Sequence, residues 1–251
     1  MSNICIKVDD YVSPFAAQLP KIQTTDLFYV EKYETDAYGH WVFGSDTSSL
    51  VDKVNARTLT LQEGAVVQPT FGDNYVRLGA AKGQALLTNL NDDTNTQYTV
   101  SAVALPEDTA LRILLGTLGG LEAPTGAGVF TSAGAAYLTI RPTGDSLKSE
   151  IVLEAGKPVF LSFSVNLTTG LVNLVAMQNN ITYEKTLTRA QTAAGTPIAL
   201  GNSRYATSAS YNTLRNKFYE MIVHNRALTI SEMKDVAFNV AERQRNRGVD
   251  F

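Results

Sequence analysis

Two stretches combine aromatic rings with planar or hydroxyl-bearing polar groups, the pairing that sugar recognition needs. Ser203-Arg204-Tyr205-Ala206-Thr207-Ser208-Ala209-Ser210-Tyr211-Asn212 is a polar run holding two tyrosines and one arginine. Within it Arg204, Tyr205, Tyr211 and Asn212 are candidates to stack on and hydrogen-bond a glycan. Tyr137 and Arg141 alternate with Thr139 along one β-like run, which gives that run one more polar face. The plainer alternative for each tyrosine is that rings decorate β-surfaces through propensity alone.

Other chemistry finds less support. Retaining glycoside hydrolysis needs two carboxyl groups about 5 Å apart. The nearest acidic run, Glu31-Lys32-Tyr33-Glu34-Thr35-Asp36, has the wrong spacing and falls outside the expected sandwich core. His40 and His224 sit in no H-E-x-x-H, and no G-x-S-x-G is present. His224 falls inside a β-like run, where a hydrogen-bonded structural histidine is expected. No catalytic residue is assigned. Asn91-Asp92-Asp93 with Asn95 is the best oxygen cluster, and calcium prefers such oxygens. It lacks the spaced D-x-[DN]-x-[DN]-G pattern, and a turn between Leu90 and Tyr98 accounts for it. Asp92 and Asp93 are therefore weak metal candidates, and no cofactor is expected beyond that calcium alternative. Residues 116–136 hold six glycines, but no lysine follows and G-x-G-x-x-G is absent, so they read as a long loop or a pair of turns.

Composition narrows the field further. Hydrophobic content of 44% against 18% charged residues is that of a globular chain. Its 21 basic and 24 acidic residues leave a net charge of -3, which supplies no basic field for nucleic acid. Cys5 is the single cysteine, so no intrachain disulfide can form, in keeping with folding in a reducing cytoplasm. Residues 1–25 contain no apolar core of a secretory signal, and no run approaches the ~18 apolar residues of a spanning helix. Without a signal, the Asn166-Leu167-Thr168 and Asn180-Ile181-Thr182 sequons read as chance matches.

The elements that must position these groups are mostly strands. β-like runs separated by turn residues are expected at 58–61, 75–78, 84–90, 98–105, 111–115, 136–141, 158–165, 171–178, 182–187, 198–200 and 217–225. Val159, Leu161, Phe163 and Val165 alternate with Phe160, Ser162 and Ser164, so one face belongs to a core. Through Asn166–Gly170 this run continues as a hairpin into Leu171–Met177. The last 25 residues differ in kind. Thr229-Ile230-Ser231-Glu232 is a capping box, followed at helical spacing by Met233, Val236, Ala237, Val240 and Ala241. Arg243, Arg245 and Arg247 suit the negative end of the dipole as a solvated helix end, and Gly248 suits a left-handed cap. These signals predict a helix over about 229–247. Residues 1–37, with Pro14 and Pro20, form a separate arm, read as an extra strand, an oligomerisation arm or an attachment segment.

The segment FYEMIVHNRALTISEM (218–233) resembles the closing segment of laminin-G-like domains of the concanavalin A-like superfamily, a final strand ending in I-x-N-R-A-L-[ST]-x-x-E before a helix. Leu200-Gly201, the 159–177 strand pair, and Trp41 with Asp52 resemble further parts of that pattern, which covers about 38–248. Met177-Gln178-Asn179-Asn180-Ile181 departs from it by lacking the Gly of a Tyr-x-Asn-Gly turn. The resemblance implies an all-β, two-sheet antiparallel jelly-roll sandwich over 38–251 with one C-terminal amphipathic helix. A related branch hydrolyses β-glucans with E-x-D-x-x-E on one strand, which this chain lacks. Similar domains without signal or disulfides occur in bacteriophage virions, as tail fibres, baseplate appendages or capsid decorations. The resemblance therefore implies a non-enzymatic virion module assembled in a bacterial cytoplasm, a homo-oligomer among other virion proteins. Such a module is expected to present a lectin-like surface to host glycan, and neither to bind nucleic acid nor to enter a membrane. A purely structural assembly protein and a carbohydrate-active enzyme are the alternatives.

Overall fold

The computed structural model describes residues 31–107, 110–120, 125–140, 146–154, 156–207, 211 and 213–251. Arg141 and Asn212 lie outside the described residues. The chain divides into two units, Met1–Glu31 and Lys32–Phe251, and the second carries the fold.

Among the described residues the strands are β1 Gly39–Val42, β2 Thr60–Leu61, β3 Thr70–Gly72, β4 Tyr75–Gly79, β5 Gln84–Asn91, β6 Gln97–Pro106, β7 Arg112–Gly116 and β8 Ala127–Ser132. Next come β9 Ala135–Ile140, β10 Ser146–Val152, β11 Val159–Asn166, β12 Leu171–Gln178, β13 Ile181–Thr188, β14 Pro197–Asn202, β15 Arg215–His224 and the helix α1 Ile230–Arg245. They form two antiparallel sheets. One runs β13-β12-β11-β6-β15-β4-β3 with β1 also beside β15, and the other β10-β9-β8-β7-β14-β5-β2. The architecture is the expected β-sandwich with one C-terminal helix.

Strand β11 shows how the sequence builds the layers. Val159, Leu161, Phe163 and Val165 point between the sheets, with Trp41, Val100, Leu138 and Leu200 from other strands and Phe43 just past β1. Phe160 on the opposite face joins a second apolar cluster with Val103, Val175, Met177 and Ile222 beneath Met233, Val236 and Val240 of α1. Each such buried side chain contributes about 1.5–3 kcal/mol by leaving water. The eight-stranded sheet is thus packed on both faces. Among the described residues no helix covers the seven-stranded one.

Residues 166–171 make the expected β11–β12 hairpin, with Asn166 paired to Leu171 and the Asn166 side chain accepting from the Thr168 and Thr169 amides. The β12–β13 turn works without a glycine, because Asn179 and Asn180 both adopt positive φ, +54° and +60°. A two-residue hairpin turn of that twist needs just this, and asparagine tolerates it. The glycine-rich stretch corrects the loop expectation, since β8 lies inside it. Gly128 is a strand residue there because the Leu115 carbonyl and Leu118 leave no room for a Cβ.

The capping box forms as expected: the Thr229 hydroxyl accepts from the Glu232 amide at 3.3 Å, and Glu232 accepts from the Thr229 amide at 2.7 Å. Gly248 takes φ +76° at the far end. The solvated-arginine expectation fails for Arg243, which is 1% exposed. Arg247 also turns back, donating to the Phe43 and Tyr219 carbonyls.

Candidate functional site

Buried charge beneath α1 is structural. β15 carries a register shift between Phe218 and Glu220. Phe218, Met221 and Val223 all reach the inter-sheet core, so the extra residue turns Glu220 to the helix side. There Glu220 Oε1 accepts from His40 Nε2 at 2.7 Å and from Arg243 Nε and Nη2 at 2.9 and 2.5 Å, and Oε2 accepts from Gln244 Nε2 at 2.5 Å. His40 Nδ1 accepts from the Glu34 amide at 3.0 Å, so the ring proton sits on Nε2. Burial acts to raise the Glu220 pKa, but the His40 hydrogen bond and the Arg243 charge outweigh it and hold the carboxyl at about 2.

The closing motif is a docking device. Arg226 bridges Asp36 at 2.9 Å and Glu232 at 2.7 Å. The Thr99 hydroxyl donates to the Arg226 carbonyl and accepts from the Leu228 amide, both at 2.9 Å, while Leu228 fills the helix-side core. His224 is 1% exposed, 3.6 Å from Asp36; burial lowers its pKa, opposed by the Asp36 charge. No second carboxylate or nucleophile completes a catalytic arrangement around it in the described contacts.

Asp92 is likewise occupied. Its carboxylate accepts from the Thr117 hydroxyl at 2.7 Å and from the Ala194, Gly195 and Thr196 amides at 2.9, 2.8 and 3.3 Å. It ties Thr117 and the 194–196 backbone to the end of β5. Burial, and then the Asp92 charge, push the Tyr98 hydroxyl above its ordinary pKa. Asp93 is exposed, and its Oδ2 would lie 3.5 Å from a Cβ placed on Gly195. Among the described residues no three His, Cys, Asp or Glu side chains gather as metal ligands.

That leaves the outer face of the seven-stranded sheet. Ala136 and Leu138 point inward, so Tyr137 points out. Its cross-strand partner is Phe130, and the two half-buried rings stack at 4.9 Å and 8°. Ile113 on β7 is the next residue in that row. Beyond it lies β14, whose chain leaves the sheet into Ser203–Tyr205 about 14 Å from β9, three strand spacings away. Arg204 donates to the Thr117 carbonyl at 3.0 Å and to the Thr125 hydroxyl at 3.1 Å. Gly128 shares the outward face with Phe130, and a Cβ there would touch Leu118 at 2.9 Å, so the 117–120 segment folds over that face. Tyr205 is anchored through its backbone to the Asn202 amide group. Tyr211 goes elsewhere, its ring 5.7 Å from the Arg112 guanidinium at the sandwich end. Of the candidates, then, Tyr137 points outward from β9, and Arg204 is tied to Thr117 and Thr125. Phe130 was missed, although Val129-Phe130-Thr131 alternates as a strand does.

No protein-family profile and no characterised protein sequence matches the chain. Among solved structures it is similar to the binding domain of botulinum neurotoxin serotype D, with TM-score 0.53 and 12% identity over 80% of this chain and 51% of that one. It is similar to the ligand-binding domain of that serotype in complex with N-acetylneuraminic acid, with TM-score 0.54 and 12% identity over 80% and 50%. Trypanosoma rangeli sialidase in complex with sialic acid gives TM-score 0.54 and 13% identity over 85% and 34%. This chain spans about half of the toxin domains and a third of the sialidase, and at such identities the likeness shows the fold alone.

Proposed function

We propose that this protein is a lectin-like, non-enzymatic module that presents the outer face of its seven-stranded sheet, with the flanking loops, to a host-surface glycan. The observation that carries this reading is the asymmetry of the sandwich. α1 and residues 32–36 occupy the outside of one sheet, while the other keeps half-exposed aromatic rings beside polar loops. The toxin and sialidase complexes support it by placing sialic acid with related folds, each ligand being that of the whole neighbour. The absence of an alternating carboxylate strand supports the non-enzymatic half. The resemblance of residues 218–233 to laminin-G-like domains, in a chain with a single cysteine, supports a virion setting, in a homo-oligomer with other virion proteins. A glycan array probed with the intact, labelled chain tests the reading. Concentration-dependent binding to a defined glycan set is expected; array silence from folded protein would overturn it. Sustained turnover of any bound glycan would overturn the non-enzymatic half.

A further inference from the structure

We propose that residues 32–36 are an acid-released strap, undone when a proton enters His40 and displaces the Glu34 amide. The strap is the stretch through which the chain passes from the Met1–Glu31 unit into the sandwich, so its release would free that connection.

The inner end of the strap is held through its backbone by the buried charges beneath α1. Arg243 donates to the Lys32 carbonyl, and His40 Nδ1 accepts from the Glu34 amide at 3.0 Å. The Tyr33 ring meets the His40 ring edge-on, at 5.3 Å and 90°. The outer contacts are exposed: Asn239 donates to the Glu34 carboxylate at 3.1 Å, and Arg226 to Asp36 at 2.9 Å. Exposed polar pairs of this kind hold little. Docking therefore depends on His40 and Arg243.

Of these two, only His40 can change charge between pH 5 and 8. Its ring is fully buried and both nitrogens are in use, Nε2 donating to Glu220 Oε1 at 2.7 Å while Nδ1 accepts. An imidazolium has two donors and no acceptor. The proton and the Glu34 amide thus compete for one lone pair, and only one of them can have it. The groups around the ring do not remove that conflict. Glu220 already faces Arg243 and accepts from Gln244, while Tyr33 and Glu34 belong to the strap itself. His224 acts in the opposite sense, since its protonation would strengthen its 3.6 Å contact with Asp36. That effect is the smaller, because Asp36 is more than half exposed and already bridged by Arg226, and burial lowers the His224 pKa. The docked strap requires neutral His40, whereas the released strap leaves Nδ1 open to a proton beside Glu220. Docking binds fewer protons, so it weakens as pH falls, by up to about tenfold per pH unit for one proton.

The test follows the intact, isotope-labelled chain by NMR from pH 8 to pH 5. The His40 ring nitrogens should pass from one bound proton to two, and the Glu34 amide shift should move with the same midpoint. Hydrogen-exchange protection of the Glu34 amide, corrected for the intrinsic rate, should fall about tenfold or more between pH 7 and pH 5, with the amides of β11 unchanged. In His40→Asn the side-chain carbonyl can accept from the Glu34 amide and does not titrate, so protection there should stay flat; in His224→Gln the fall should persist. If His40→Asn does not fold, the unaltered chain still decides through the shared midpoint. A His40 ring that keeps one proton down to pH 5, or Glu34 protection that ignores its titration, would overturn the proposal.

Discussion

Replacing Glu220 with glutamine should be the most costly single-atom change in this fold. The carboxylate is 1% exposed and takes four hydrogen bonds, two of them from the equally buried Arg243. A carboxyl held at about 2 against an ordinary 4.5 favours the folded state by about 3 kcal/mol at neutral pH. Because the folded value is the lower one, that contribution is complete above pH 4.5 and fades as pH falls towards 2. Glu220→Gln removes it and leaves the Arg243 cation buried without its counter-charge, so a loss of about 3–5 kcal/mol is expected. Glu220→Gln with Arg243→Met should recover part of that loss, since no unpaired charge remains. Urea unfolding at pH 7 and at pH 3 gives both numbers, and the variant should lose much of the acid dependence between pH 4.5 and 2. A cost below about 1 kcal/mol, or a double variant no better than the single one, would refute the pairing argument.

Other consequences are as direct. Asp92→Ala strips acceptors from one hydroxyl and three amides and should cost about 2–4 kcal/mol in urea unfolding, loosening the amides of 194–196 in hydrogen exchange. Since those oxygens already accept donors, calcium or EDTA should leave Tm unchanged; a calcium-dependent rise would contradict the assignment. Asn179→Val places a β-branched side chain at φ +54° and should cost about 1–2 kcal/mol, whereas Asn179→Gly should be tolerated.

Legibility followed how local each cause is. β11 could be read because its alternation is written in eight adjacent residues, and α1 because Thr229, Glu232 and the 3.6-residue stripe are contiguous. β1 escaped because it has four residues and takes its pairing from β15, far along the chain, whereas β3 and β10 are sheet edges beside their sequence neighbours β4 and β9. β8 was hidden by glycines, which mark turns in most sequences but here allow close approach to Leu115 and Leu118. Arg243 looked like a solvated helix end; only the bulge in β15, which swings Glu220 to the helix side, gives it a buried partner. Of the candidate site, Tyr137 and Arg204 were visible as residue types, but their neighbours depend on the β9-β8-β7-β14 order, which no local pattern encodes. Tyr211 belongs to Arg112 for the same reason.

The central claim is that recognition happens on the sheet face that α1 does not cover. Backbone amide shifts of the labelled chain, titrated with its best array glycan, test it most directly. The largest changes are expected at 128–139, 117–120 and 203–205, with the amides of α1 and residues 32–36 unmoved. Changes centred on α1 and the strands beneath it would contradict that claim.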